Sequence, residues 1–438
     1  MLPMGSSDTP VEQARAYARD GRYEDAAAVV GQLLAETFGL TPEATVINRD
    51  AYSLNSLNGT FTASGTPYFF KFHQEENEVA MAGEYYRAGL LAEAGLPVDQ
   101  PVHASSVPGR QILVYRHRSD RRFADVLRDL DLSADPAEMA AALAAERTLN
   151  RRLIEVYGAT LHPITPEQSS QEPIHRLFHE RLVDRNRPST IGGRYASFYA
   201  GKSFDFPGLT IGWDELAGLR FQVNGITYCH TLGELFARAF LRLRPEQLAG
   251  NGGVTAHGDA HNANVWYEEP TGLAEPRLVM FDPAFAGRHV PALLAEIKAT
   301  FHNTLAHPLW LYEPSRAAHR YQASASRKGP LFCVEIDWVP SPIRRALLDQ
   351  KRDIVWRPLL AQLQECRLLP ADWREVLRLA LFLCPTLVMS LRAGPEPDAR
   401  AHNPVTSLIG LAIAVAAGSE PEQGKDLVTE LLAAIDPA

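Results

Sequence analysis

The chain has 438 residues, 46% hydrophobic and 22% charged, which is long enough for two or three domains or lobes and ordinary for a soluble globular protein. A net charge of −9, from 43 basic and 52 acidic residues, argues against nonspecific nucleic-acid binding and against a polybasic membrane surface. The four cysteines, Cys229, Cys333, Cys366 and Cys384, have no Cys-x-x-Cys spacing and read as thiols of a reducing compartment, not as a zinc or disulfide framework. The N-terminus has neither the basic nor the apolar region of a secretory signal, and the apolar runs at 379–391 (interrupted by Pro385) and 408–417 are too short to span a bilayer. A cytoplasmic protein is expected.

Residues 10–38 read as two short amphipathic helices, started by Pro10, broken at Asp20-Gly21-Arg22 and resumed at Tyr23. One such pair is too little for a helical repeat array, so a lobe cap or a homodimer contact is expected of it. From Thr45 to Phe72 the period changes to two. Residues 45–47, 60–63 and 68–72 read as successive antiparallel strands, with turns at Asn58-Gly59 and Gly65-Thr66-Pro67. The small polar loop running from Ser53 through Ser56 and Asn58 to Gly59 either offers backbone N–H groups to phosphates or is a plain hairpin turn.

Lys71, inside the aromatic strand at 68–72, is either a snorkelling edge lysine or a cation aimed at nucleotide phosphates. A lysine at a phosphate site needs a carboxylate to fix it. The helix that follows, over 75–93, offers Glu75, Glu76, Glu78 and Glu84 before Gly95-Leu96-Pro97-Val98. A buried strand at 111–115 then exits through a polar stretch into a helix from Phe123, as a hinge between two lobes would.

A long helix is expected over 138–162. The segment 164–254 is less regular: a helical piece at 174–183, an aromatic irregular stretch at 191–211, a hairpin around Asn224-Gly225 and a helix at 232–243. It is a candidate for substrate selection or a structural insertion. Its aromatics Tyr195, Phe198, Tyr199, Phe204 and Phe206, with the acids Asp205, Asp214 and Glu215, make a candidate pocket for a sugar-like or amine-bearing ligand. After Gly287 helices are expected over 290–305, 342–364, 372–391, 404–417 and 424–435, giving an α-helical C-terminal lobe around a small catalytic hairpin.

That hairpin carries the chemistry. An apolar approach delivers His257-Gly258-Asp259-Ala260-His261-Asn262-Ala263-Asn264, and a short apolar strand then delivers Phe281-Asp282. Asp, then Asn five residues on, then Asp at a strand end is an arrangement suited to phosphoryl transfer. Asp259 accepts the proton of an attacking hydroxyl, while Asn264 and Asp282 offer the oxygen-only ligation that suits Mg²⁺ on a nucleotide triphosphate. His257 and His261 are expected to shape the loop. Two alternatives stand beside this reading. His257, Asp259 and His261 alternate along the chain as ligands of a metal-dependent hydrolase do, with His289, His302 or His307 to complete the set. A catalytically inactive nucleotide-binding relative is the other. The hydrolase gives Lys71, Glu84, Asn264 and Asp282 no work, and against the inactive relative all the expected polar groups are present.

Strand lysine, helix glutamate, hinge strand, long helix, His-Gly-Asp-x-His-x-x-Asn and an apolar strand ending in Asp together resemble the aminoglycoside phosphotransferase and choline kinase family. The resemblance covers roughly residues 45–125 and 145–305. It implies an α+β, two-lobed protein-kinase-like fold, with a small antiparallel β N-lobe over 41–117 and a larger, mainly α-helical C-lobe over 118–438; residues 1–40 would be a helical extension. It implies an ATP- or GTP- and Mg²⁺-dependent kinase that phosphorylates a hydroxyl of a small molecule, in antibiotic modification or metabolism. Asp259 would be the catalytic residue, Asn264 and Asp282 the metal ligands. Nucleotide contacts would come from Lys71, Ser56, Asn58, the hinge residues Val114 and Tyr115, and Glu84 as the partner of Lys71. Two departures matter: the phosphate loop is Asn/Ser-rich with the single Gly59, and Asp282 is followed by Pro283-Ala284-Phe285, without a Phe-Gly pair or a later Ala-Pro-Glu. The sequence thus resembles a small-molecule kinase more than a protein kinase.

Overall fold

The computed structural model describes residues 9–48, 56–73, 87–133, 135–269, 275–306, 308–393 and 401–437. The chain is α+β and divides into two compact units. The first lies within residues 1–93, 97–120 and 281–284, the second within 94–96, 121–280 and 285–438.

In the first unit, α1 (Pro10–Arg19) is started by a capping box in which the Thr9 hydroxyl accepts from Glu12 N and the Glu12 carboxylate accepts from Thr9 N. The second helix, α2 (Tyr23–Phe38), stops at Gly39, whose φ of 66° is the left-handed conformation of a C-terminal cap. An antiparallel sheet follows: β1 (Glu43–Ile47), β2 (Ser56–Ala63), β3 (Thr66–His73), β4 (His103–Ser105) and β5 (Ile112–Arg116), in the order β1-β2-β3-β5-β4. Alternate residues Leu57, Phe61, Phe70, Phe72, Ile112 and Val114 face one core, and Val11, Ala14, Val30, Leu33 and Leu34 of the helices close it. Full burial of each large aliphatic residue there contributes about 1.5–3 kcal/mol. The helices at 10–38 are therefore part of the sheet's hydrophobic core.

The expected turn at Asn58-Gly59 is not one. Both residues lie in β2, with Gly59 opposite Phe70. A Cβ at Gly59 would stand 2.0 Å from Val46 O and 2.7 Å from the Phe70 ring, so the glycine permits a close approach within the sheet. The two-residue turn between β2 and β3 is Ser64-Gly65, with φ of 50° and 73°, the primed geometry that matches strand twist.

The second unit is built on the helix Pro136–Thr160, N-capped by Asp135, and on Trp373–Val388 and Pro404–Gly418, both almost wholly buried. Two small antiparallel assemblies carry the stretch that holds Asp259: Gly253–Ala256 against Gly287–Pro291, and Val265–Glu268 between Arg277–Met280 and Arg121–Arg122. Residues 290–305 thus depart from the expected helix. Cross-strand pairing takes the chain as far as Pro291, and helix begins only at Ile297, passing into a π-helix over Phe301–Leu305. The piece expected at 174–183 is two 3₁₀ turns, Pro173–Leu177 and His179–Arg181. The hairpin around Asn224-Gly225 forms, both residues having positive φ, but Arg220–Val223 also pairs in parallel with Leu331–Ile336. That strand is half of a second hairpin with Ala323–Lys328, between the helices expected at 290–305 and 342–364, where no element was expected.

Three of the five aromatics in that stretch are core, while Tyr195 and Phe198 are half-buried. Tyr199, Phe204 and Phe206 are buried, Tyr199 stacks on Trp213 at 4.9 Å, and Phe236 closes the group. Asp205, Asp214 and Glu215 are exposed around it. Among the described residues, no helix is long and apolar enough to cross a membrane.

Candidate active site

Lys71 sits on β3, opposite Asn58 of β2 and Leu113 of β5. Its Nζ lies 2.7 Å from Oδ1 of Asp282, which belongs to the same unit. The lysine side chain is 11% exposed and the aspartate's 38%, so the cation is shielded while the carboxylate keeps an open side. Asp282 adopts φ of 56°, a left-handed conformation that aspartate tolerates better than most residues. Two residues on, the Ala284 carbonyl accepts from the Arg87 guanidinium at 2.6 Å, which fixes the chain beyond Asp282.

The other expected nucleotide contacts are placed as follows. Asn58 is buried in β2, its Oδ1 accepting from Asn48 Nδ2 at 2.9 Å, so its amide ties β1 to β2. Ser56 opens the same strand opposite His73. Val114 is fully buried and its carbonyl accepts from Val102 N at 2.7 Å; Tyr115 stands beside it, opposite Phe69. Glu84 lies outside the described residues.

In the second unit, the strand Gly253–Ala256 delivers a loop closed on itself. His257 is buried, and its Nδ1 accepts from Asp259 N at 3.3 Å. Between them Gly258 has φ of 76°, and a Cβ there would stand 2.9 Å from Phe285 O and 3.1 Å from Ile174. No other residue fits that corner without strain. The Asp259 carbonyl accepts from His261 N at 2.8 Å and from Asn264 Nδ2 at 3.0 Å, and its carboxylate lies 3.5 Å from that same amide nitrogen. His261 Nε2 is 3.8 Å from Asp259 Oδ1, while its Nδ1 accepts from Ala263 N and starts the 3₁₀ turn Asn262–Asn264. The turn is anchored from behind, Asn262 N donating to Asn303 Oδ1 at 2.8 Å.

Gly287 has its own reason. Glu172 Oε1 accepts from His289 N at 2.8 Å, and a Cβ at Gly287 would fall 1.5 Å from Glu172 Oε2. The glycine leaves room for a buried carboxylate that ties the 3₁₀ region to the strand Gly287–Pro291.

Each unit holds an oxygen donor that suits a divalent cation. In the first, Asp282 offers a partly open carboxylate; in the second, Asn264 commits its amide nitrogen to the Asp259 carbonyl. Hard oxygen donors of this kind suit Mg²⁺. The histidines do not make a metal set: His257 Nδ1 is taken by the Asp259 amide, and among the described residues no group of three or more His, Cys, Asp or Glu is arranged to hold a metal ion.

Sequence reasoning missed the buried Lys298 and Asn303 behind the loop, in a stretch read as a helix, and named His302 only as a further ligand of the hydrolase alternative. The available signal was their polarity, since Glu296, Lys298, Thr300, His302 and Asn303 interrupt an otherwise apolar run.

No protein-family model and no curated protein matches the chain. Among solved structures it is similar to a putative fructosamine-3-kinase from Thermobifida fusca, at 14% identity over 89% of this chain and 96% of that one, with a TM-score of 0.39. It is similar to the aminoglycoside phosphotransferase APH(4)-Ia at 13% identity over 82% and 98%, TM-score 0.37, and to spectinomycin phosphotransferase APH(9)-Ia, in complex with ADP and spectinomycin, at 10% over 89% and 98%, TM-score 0.32. Likenesses this distant decide nothing about the chemistry of this chain, which rests on its own geometry.

Proposed function

We propose that this chain is a cytoplasmic phosphotransferase that moves a phosphoryl group from Mg²⁺-ATP or Mg²⁺-GTP to a hydroxyl of a small molecule, an antibiotic or a metabolite. The observation that carries the reading is the 2.7 Å contact between Lys71 and Asp282. A polyphosphate and its metal need one cation and one anion side by side, and two residues far apart in sequence meet to supply them. When bound, the nucleotide supplies the phosphoryl group and its Mg²⁺ neutralises charge on the phosphate oxygens.

The chain's own residues do the rest by positioning. Lys71 would hold phosphate oxygens of the nucleotide, and Asp282 would hold its metal. Asp259, held by Asn264 and His261, accepts the acceptor hydroxyl's proton. His257 and Gly258 fix the corner that aims it. A site of this kind works mainly by electrostatic preorganisation, which suits a loop whose polar groups are already bonded before substrate arrives.

Thermal unfolding with Mg-ATP, Mg-GTP and Zn²⁺ tests the reading. A ligand at a hundred times its Kd stabilises the chain by about 2.7 kcal/mol, so Mg-nucleotide should raise Tm measurably. Stabilisation by Zn²⁺ alone would instead favour the hydrolase.

A further inference from the structure

Where the long helix Pro136–Thr160 ends, two histidines meet beside the strand that delivers the Asp259 loop, wholly within the second unit. His162 is bridged to Gly253 by two main-chain bonds, His162 N to Gly253 O at 3.0 Å and Gly253 N to His162 O at 2.8 Å. His289 lies on Gly287–Pro291, the strand that pairs with Gly253–Ala256. A Cβ at Gly253 would stand 3.1 Å from the His289 backbone, so the glycine lets these segments close up. The two side chains then join: His162 Nε2 lies 2.8 Å from His289 Nδ1, with ring centroids 5.1 Å apart.

One neighbour settles the tautomers. His162 Nδ1 lies 2.7 Å from Thr160 O, and a carbonyl only accepts, so the hydrogen is on His162 Nδ1. Neutral His162 then offers a lone pair at Nε2, and the hydrogen of the contact between the rings belongs to His289 Nδ1. His289 Nε2 is left as the proton-accepting nitrogen. A first proton there makes an imidazolium whose Nδ1–H still donates to His162, in a bond strengthened by charge. A second proton has to go to His162 Nε2, and two N–H groups cannot share a contact of 2.8 Å. The pair closes over one proton or none and opens at two.

The surrounding charges set the sign of the response. The buried Glu172 carboxylate accepts from His289 N at 2.8 Å, and Arg288 flanks His289 on its strand. On the short helices packed against that strand, His175 Nε2 is turned to Ser169 O at 2.9 Å, while Glu167 and Arg176 are exposed. At the end of the long helix Glu155 is exposed and Tyr157 donates to Glu296; the strand Gly253–Ala256 carries no ionisable residue. Burial first, then His162 and Arg288, hold His289 below the ordinary histidine range. A histidine so held takes its proton more readily once released, so acid favours the open pair. We propose that the His162–His289 pair is a proton-operated latch, closed at neutral pH, whose opening in acid frees the end of the long helix from the strand Gly287–Pro291 and loosens the strand that delivers the Asp259 loop. The latch does not rest on the phosphotransferase reading.

The test is hydrogen exchange of the full chain at pH 7 and pH 5, read by mass spectrometry and corrected for the intrinsic rate. Amides of 253–261 should lose protection about tenfold at pH 5, while those of the buried helix Trp373–Val388 keep theirs. That contrast tells a local opening from acid unfolding of the whole unit. A side-chain amide can donate or accept, so His162→Gln should hold the latch closed and remove the loss at pH 5. A phenyl ring can do neither, so His289→Phe should show the loss already at pH 7. If His162→Gln fails to fold, His289→Gln carries the same expectation. Equal protection of 253–261 at the two pH values in the parent, a loss shared by 373–388, a loss that persists in the glutamine variant, or full protection in His289→Phe at pH 7 overturns the latch. No nucleotide is present, so the outcome stands apart from the Mg-nucleotide measurement.

Discussion

Asp259 and Asp282 are carboxylates placed in opposite surroundings. Asp259 sits in a loop whose bonds close on its own backbone, through His261 N and Asn264 Nδ2, and it is nearly buried. Asp282 stands at a left-handed φ, more than a third exposed, and its contact is a lysine 211 residues earlier in sequence. The first arrangement holds its geometry without a ligand, as the proposed proton acceptor must. The second holds an ion pair that a metal and a phosphate can each take over. Environment, more than residue type, divides the labour.

The comparison can be broken at several points. The largest effect should come from Asp259→Asn, which removes the proposed proton acceptor and keeps the loop's shape: turnover should fall by about 10² to 10⁴. Steady-state transfer or acceptor-independent nucleotide hydrolysis measures it, and full activity would end the assignment.

Next is Arg344→Met. Arg344 is fully buried, pairs with Asp131 at 2.7 Å and donates to Asn303 O, the residue that anchors the Asp259 loop. Taking the guanidinium from the buried Asp131 carboxylate, to which the Ser341 hydroxyl also donates, should cost about 3–5 kcal/mol in urea unfolding. If the two carboxylate regions are independent, the Mg-nucleotide affinity of the surviving fold should change far less than its turnover.

The pH dependence of stability should also belong to the second unit. Burial pulls His175 and His402 from 6.5 to about 4. The unfolded chain therefore takes up these protons first. Stability from both is complete above pH 6.5, is lost as pH falls toward 4, and is flat below. At about 1.4 kcal/mol per unit each histidine accounts for up to about 3 kcal/mol. Urea midpoints at pH 7 and 5 measure the slope, and His402→Gln should flatten it; an unchanged slope would show that His402 titrates normally.

Smallest should be Gly287→Ala. Its Cβ must displace the Glu172 carboxylate and its bond to His289 N, an overpacking effect of about 1–3 kcal/mol. A Tm equal to that of the parent would mean Glu172 moves freely, and the glycine is then no constraint.

The sequence was most legible where local chemistry decides structure. The capped helices at 10–38, the aromatic strand around Lys71, and the Asn224-Gly225 hairpin follow from periodicity and turn residues. Asn58-Gly59 misled because the same dipeptide that makes a turn also permits close packing inside a sheet, and only the position of Phe70 tells the two apart. The hairpin at 323–336 was invisible because its partner, Arg220–Val223, lies about a hundred residues away and pairs in parallel. In the candidate site, spacing pointed to Asp259, Asn264 and Asp282 individually. It carried no information that Lys71 touches Asp282, nor that Lys298 and His302 lie behind His261, because those meetings depend on chain paths that motifs do not record.

The central claim, that Asp282 holds the metal-nucleotide while Asp259 handles the proton, is tested most directly by one comparison. The Tm shift produced by Mg-ATP is measured in the parent chain, in Asp282→Ala and in Asp259→Asn. The account predicts a shift that persists in Asp259→Asn and disappears in Asp282→Ala. A shift that survives in Asp282→Ala and is lost in Asp259→Asn would contradict it.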